Sequence, residues 1–296
     1  MRLILPLPGN EAFASQLARA VGGDLGELET RRFPDGEHYV RLRSDPAGRT
    51  VDLVCTLARI DEVFLSLIFA ADAARGLGAR EVNLIAPYLG YMRQDSRFQP
   101  GEAVTSTSIA RLLSGSFDRL VTVDPHLHRY ASLNEVYAIP SLALHAAPLL
   151  GRWIRESVTD PLVIGPDAES EQWAAAVAAA AGAPHLVLSK TRLGDHDVRI
   201  TLPDLSRHRG RQPVLIDDIA SSGHTLLAAA QQLVAVGFPA PDCAVVHAIF
   251  GGDAFAQVSA VAGRVVSTDS VAHPSNALPL APLIAQALAA AQPAPE

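Results

Sequence analysis

Short apolar runs alternate with amphipathic segments along the chain, and the alternation occurs twice. Brief apolar strands separated by stretches of helical period are the mark of βα units that close into a mainly parallel sheet. In the first half, strands are expected at residues 2–5, 51–55, 82–86 and 120–123, with helices at 11–21, 63–75 and 106–113 between them. In the second half the strands fall at 161–164, 185–188, 214–217, 244–250 and 264–267, separated by helices at 172–181 and 225–236. Asn10 is placed to cap the first helix and Gly22-Gly23 to stop it. Leu226, Ala230, Leu233 and Val234 read as the inward stripe of helix 225–236. A length of 296 residues exceeds what one core usually organises. The expected fold is α/β in two domains, residues 1–145 and 146–286, with a boundary near 139–150 and an Ala/Pro-rich tail at 287–296 that is frayed or disordered.

The balance of 49% hydrophobic and 19% charged residues supplies a core and excludes a disordered chain. A net charge of −7 without a dense Lys/Arg run argues against nucleic acid as a partner. Anionic nucleotides stay within reach where a few cations, backbone N–H groups and a metal are focused in one place. Cys55 and Cys243 lie in apolar runs with no metal-ligand pattern beside them and read as reduced core residues, a disulfide between them being the lesser alternative. The apolar N-terminal stretch is short for a signal peptide and is interrupted by Pro6 and Pro8, and no run approaches a membrane span; the expected location is the cytoplasm.

The strongest local signal runs from Val214 to Leu226. An apolar strand ends in Asp217 and Asp218, a small polar loop with Ser221, Ser222 and Gly223 follows, and a helix begins near His224 and Thr225. Backbone N–H groups and a helix N-terminus converge there on one point, which suits a phosphate. The hydroxyls add donors, while the two carboxylates can accept from ribose hydroxyls or hold a metal's water shell. Elsewhere, Arg93 and Gln94 follow the strand at 82–86, where a parallel sheet presents its ligand crevice. Arg93 can fork onto phosphate or stack on a base, and Gln94 can read a purine edge. Pro34-Asp35-Gly36 has turn chemistry between alternating flanks, a hairpin projecting toward solvent. Asp124-Pro-His126-Leu-His128 follows another strand, although a lone Asp-x-His-x-His is more often a pair of structural histidines than a metal site.

The string from Val214 to Leu226 resembles the phosphoribosyl-pyrophosphate-binding loop of type I phosphoribosyltransferases, with His224 where a second glycine is common. The ordered segments Phe33-Pro-Asp35-Gly36-Glu37, Tyr91-Met-Arg93-Gln94-Asp95 and Asp124-Pro-His126 resemble the N-terminal domain of ribose-phosphate diphosphokinases, from about Arg2 to Asn276 over the whole likeness. The resemblance implies two tandem phosphoribosyltransferase-like domains and a magnesium-dependent transfer of diphosphate from ATP to ribose 5-phosphate. It implies ATP binding by Arg93, Gln94 and His126, and by Phe33, Asp35, Gly36 and Glu37 reaching the site of a neighbouring subunit in a homo-oligomer. By the same likeness, ribose 5-phosphate is held by Asp217, Asp218, Ser221, Ser222, Gly223, His224, Thr225 and Arg192. Mg²⁺ falls to His126 and Asp167, with no warrant for His128.

Ser189-Lys190-Thr191-Arg192 ends the strand at 185–188. Family members carry a Lys-x-Arg on a flexible loop that closes over the polyphosphate, so the likeness makes Lys190 and Arg192 catalytic. One departure stands beside Asp167, where Ala168-Glu169-Ser170 replaces a nearby glycine of the family pattern. No Walker-type phosphate loop or protein-kinase signature occurs. Two further readings share part of the pattern: a phosphoribosyltransferase, which needs the loop at 217–225 but not Arg93 and Gln94, and a catalytically silent family-like subunit.

Overall fold

A computed structural model of the chain describes residues 1–127, 129–167, 170–192 and 198–290, with backbone alone for 190–192 and 198–200. The chain divides into two compact units, Met1–Leu144 together with Leu280 onward, and His145–Pro279.

The first unit is a six-stranded sheet in the order β2-β1-β5-β6-β7-β8, with every neighbouring pair parallel. Its strands are β1 (Arg2–Pro6), β2 (Asp24–Leu25), β5 (Thr50–Val54), β6 (Glu81–Ala86), β7 (Arg119–Val123) and β8 (Ser141–Leu144). β3 (Leu28–Arg32) and β4 (His38–Leu42) form a separate antiparallel hairpin. Helices α1 (Glu11–Val21), α2 (Ile60–Gly76) and α3 (Thr105–Ser114) cross between strands. Near-continuous burial of β1, β5, β6 and β7 explains their apolar character, because a parallel sheet covered on both faces has no polar side to alternate with.

The second unit repeats that order. β9 (Pro161–Gly165), β10 (His185–Val187), β13 (Gln212–Ala220), β14 (Asp242–Ala248), β15 (Val265–Thr268) and β16 (Asn276–Leu278) align as β10-β9-β13-β14-β15-β16, all parallel. A hairpin is again set aside after the edge strand, here β11 (Ser189–Arg192) with β12 (Val198–Thr201). Its helices are α4 (Ala147–Ser157), α5 (Glu171–Ala181), α6 (His224–Ala235) and α7 (Ala254–Ser259). Gly151 lets α4 lie against α5, since a Cβ there would come within 2.4 Å of the Ala180 Cβ. In both units the order reverses at the first strand, between β1 and β5 and between β9 and β13.

Three expectations need correction. Asn10 stands at the N-cap position of α1, but its side chain does not cap the helix: its amide donates to the Leu7 and Pro8 carbonyls, and its Oδ1 accepts from the Thr56 N–H at 2.8 Å. Its partner lies beyond β5, so the side chain ties together the two strand ends where the first sheet reverses. Val234 is 46% exposed, and Ala229 joins Leu226, Ala230 and Leu233 on the buried stripe of α6. The C-terminal segment is not wholly a tail and does not close the second unit: α8 (Ala281–Ala290) buries Ile284 and Leu288 and packs with α1 and β8 of the first. Gly22 does stop α1, at φ 64°. Both cysteines are free thiols and buried.

Candidate active site

In the second unit the candidate residues gather where the sheet order reverses, the usual ligand crevice of a doubly wound sheet. β9 ends at Gly165, and β13 pairs with it only through Leu215↔Ile164. On its other side β13 continues along β14 to Ala220↔Ala248. The strand therefore does not stop at Asp217 as expected. It carries Asp217 and Asp218 past the end of β9, half-buried, along an edge that no strand among the described residues covers on that side. Polar residues are admitted into a strand here because one neighbour keeps the ladder while the other withdraws.

Beyond Ala220 the chain turns through Ser221, Ser222 and Gly223 into α6. Gly223 is the N-cap at φ 70° and is buried against α7, where a Cβ would stand 3.1 Å from Val258 Cγ2. The Gly251 N–H donates to the Ser221 carbonyl at 3.0 Å and fixes the loop from behind. Ser222 and His224 are exposed, with Ser221 and Thr225 half-buried, beside the N–H groups of the first turn of α6. A loop of this kind is able to receive a compact anion.

Asp167 follows β9. Its Oδ1 accepts the Ser170 N–H at 3.1 Å, while Ser170 Oγ donates to the Asp167 carbonyl at 2.6 Å. The same Oγ would lie 2.7 Å from a Cβ on Gly165. Ser170 thus fills the turn in which the family pattern has glycine and holds the Asp167 segment closed. Glu169, like His128, lies outside the described residues. Lys190 and Arg192 sit at alternate positions of β11, paired with Ile200 and Val198, so their backbone is a strand rather than a loop; their side chains and residues 193–197 lie outside the description.

In the first unit the reversal point is occupied by Asn10, and the candidate residues come instead from the ends of β6 and β7 and from the hairpin. The hairpin turn is made by the Gly36 N–H donating to the Phe33 carbonyl at 2.9 Å, with Gly36 at φ 94°. The Glu37 N–H donates to Asp35 Oδ1 at 3.2 Å, and the Phe33 N–H to the Glu37 carbonyl at 2.8 Å. The Arg31 guanidinium lies 4.6 Å from the Phe33 ring and 4.1 Å from the Tyr39 ring. It props up an aromatic tip that is 39% exposed at Phe33.

After β6 the chain passes Gly90, where a Cβ would come 2.5 Å from the Leu57 carbonyl oxygen, and Tyr91 at φ 61°. The Tyr91 hydroxyl donates to Asp61, which raises the pKa of its phenol. Arg93 is exposed and Gln94 half-buried, the latter with its carbonyl bonded by the Ser106 N–H of α3 at 3.3 Å. Asp124 ends β7 at φ 35°, buried, its N–H on the Leu144 carbonyl, and hands the chain to a half-buried His126.

Residues 3–116 match the model of the N-terminal domain of ribose phosphate pyrophosphokinase, and residues 132–253 match the phosphoribosyl transferase domain. A ribose-phosphate pyrophosphokinase of Methanosarcina acetivorans is 34% identical over 95% of this chain and 97% of its own. One from Methanopyrus kandleri is 35% identical over 92% of this chain and 94% of its own. The chain belongs to the ribose-phosphate pyrophosphokinase family.

The phosphoribosylpyrophosphate synthetase of Mycobacterium smegmatis shares the fold of this family member at a TM-score of 0.83, with 24% identity over 98% of each chain. The chain is accordingly an α/β enzyme of tandem phosphoribosyltransferase-like units. Sequence reasoning did not find the bonds of Ser170 to Asp167 or of Asn10 to Thr56, nor the contacts of Asp95 with Arg129 and Tyr130.

Proposed function

We propose that this enzyme transfers the diphosphoryl group of ATP to the C1 hydroxyl of ribose 5-phosphate, giving phosphoribosyl pyrophosphate and AMP. The observation that carries the reading is the open edge of β13, which brings Asp217 and Asp218 beside the anion receptor at the start of α6. The sugar phosphate is received by Ser221, Ser222, Gly223, His224 and Thr225, with Asp217 and Asp218 accepting from its hydroxyls. Arg93, Gln94 and His126 hold ATP, and Phe33, Asp35, Gly36 and Glu37 serve the ATP of a neighbouring subunit in a homo-oligomer. A hairpin set apart from the sheet with an exposed, cation-propped aromatic tip supports that role. In the transfer, the C1 oxygen forms a bond to the β-phosphorus, the bond from that phosphorus to the bridging α–β oxygen breaks, and the C1 hydroxyl proton is released. Lys190 and Arg192 neutralise charge as it grows on the transferring group.

His126 and Asp167 are the proposed protein ligands of Mg²⁺. Among the described residues no three His, Cys, Asp or Glu side chains form a ready metal cage. One imidazole and one carboxylate fit a cation that retains water and is bound chiefly by phosphate oxygens. When bound, it supplies charge neutralisation to the phosphates. The proposed site of action is the cytoplasm; among the described residues no helix is long and apolar enough to cross a membrane. The test is to mix the protein with ATP, Mg²⁺ and ribose 5-phosphate. AMP and phosphoribosyl pyrophosphate in equal amounts, only when all three are present, are expected; ADP as the nucleotide product would exclude the reaction.

A further inference from the structure

The segment that carries Arg93 and Gln94 is held by contacts that the binding roles of those two residues do not explain. The Asp95 side chain is 3% exposed, and its Oδ1 accepts from Arg129 Nε at 3.2 Å. Among the described residues its other oxygen, Oδ2, is buried without a hydrogen-bond partner. A buried carboxylate half-satisfied in this way costs stability, since an unmet charged acceptor forfeits its hydration. Around it the backbone is fixed at successive residues. The Gln94 carbonyl accepts the Ser106 N–H, and the Tyr130 hydroxyl donates to the Asp95 carbonyl at 3.4 Å while lying 3.4 Å from Ser106 Oγ. Arg129 and Tyr130 belong to the chain that leaves β7 through His126. The Arg129 guanidinium, its side chain 58% exposed, also lies 5.8 Å from the Phe98 ring on the outer part of the loop.

We propose that Asp95 and Arg129 form a positioning pair that locks the Arg93 and Gln94 segment to the His126 segment in the geometry that receives the nucleotide. Neither residue touches the reacting atoms. The pair spans two strand ends, β6 and β7, that parallel pairing alone leaves free to diverge beyond Ala86↔Thr122. This rests on the proposed nucleotide role of Arg93, Gln94 and His126. The test uses Arg129→Gln, an exposed position whose loss leaves folding intact, with Arg129→Lys and Asp95→Asn beside it. Arg129→Gln is expected to raise the KM for ATP about tenfold, as suits loss of one charge-assisted bond, with kcat and the KM for ribose 5-phosphate within about twofold. Arg129→Lys should recover part of the loss. The double variant with Asp95→Asn should be no worse than the poorer single one, as for partners in one interaction. An unchanged KM for ATP, or equal rises for both substrates with a lowered unfolding temperature, overturns the pair. Calorimetric binding of ATP alone reads the pair without turnover. Wild-type protein that binds ATP but forms no AMP therefore sinks the proposed reaction while the pair still stands or falls on the ATP affinity of Arg129→Gln, and wild-type protein that binds no ATP sinks both.

Discussion

Cys55 lies just after β5 in the first unit, and Cys243 is the second residue of β14 in the second. Burial pushes each thiol up to about 12 from an ordinary 9.0, helped at Cys243 by the charges of Asp242 and Asp217. An acid whose pKa is raised in the folded chain keeps its proton there after the unfolded chain has lost it. Stability therefore falls as pH rises from 9.0 toward 12, by about 1.4 kcal/mol per pH unit for each thiol. Urea unfolding at pH 10 and pH 11 should show that slope, and replacing both cysteines with alanine should flatten it; a slope untouched by the double replacement excludes the thiols as its cause. Lys190 is proposed to serve the transition state rather than substrate binding. Lys190→Ala should lower kcat by ~10²–10³-fold with KM values changed far less, and steady-state kinetics with near-normal turnover would remove Lys190 from the mechanism. Motif spacing is local, so the sequence puts such residues forward as candidates. Asp95 is different: its partner Arg129 is 34 residues away in sequence, and nothing in either neighbourhood announces the pair.

At the scale of elements, strands and helices were legible because each writes its burial into its own residues. β6 and β7 are apolar along their length since both faces are covered, and the buried stripe of α6 repeats at helical spacing. What an element's own residues do not contain is where its neighbours end. β13 reads as finishing at Asp217 because aspartate is a poor strand residue, yet β14 holds it to Ala220 while β9 stops early. The same limit hid the role of Asn10, whose side chain bonds the Thr56 N–H across the first sheet's reversal point. The two units thus share one strand order and use it differently, the second leaving the reversal open where the first fills it with an amide. The turn from β13 into α6 also depends on a backbone conformation. Gly223→Ala places a side chain at φ 70° with its Cβ 3.1 Å from Val258 Cγ2. A loss of about 1–2 kcal/mol is expected from the left-handed conformation, and the contact adds to it. Thermal unfolding should report that loss, and because the strain falls on the proposed anion receptor the KM for ribose 5-phosphate should rise more than that for ATP.

At the scale of the whole molecule, α8 leaves the second unit at Leu280 and completes the first. Its Ala281, Ile284, Ala285 and Leu288 are buried, and α1 supplies Phe13, Ala14, Leu17 and Ala18 as its own buried face. Periodicity identifies an amphipathic stretch but not the unit it joins, so an Ala-rich C-terminus reads as a fraying tail. Full burial of Ile284 and Leu288 contributes roughly 1.5–3 kcal/mol each. Deleting residues 280–296 should therefore weaken the first unit, although every residue removed follows the second in sequence. The two buried thiols make this measurable without separating the units, since Cys55 reports on the first and Cys243 on the second. In mild urea, a thiol reagent should label Cys55 of the truncated chain at concentrations where it remains protected in the full chain, while protection of Cys243 changes little. Earlier labelling of Cys243 would mean that α8 stabilises the second unit, and equal advance of both would mean that the two units unfold as one cooperative body.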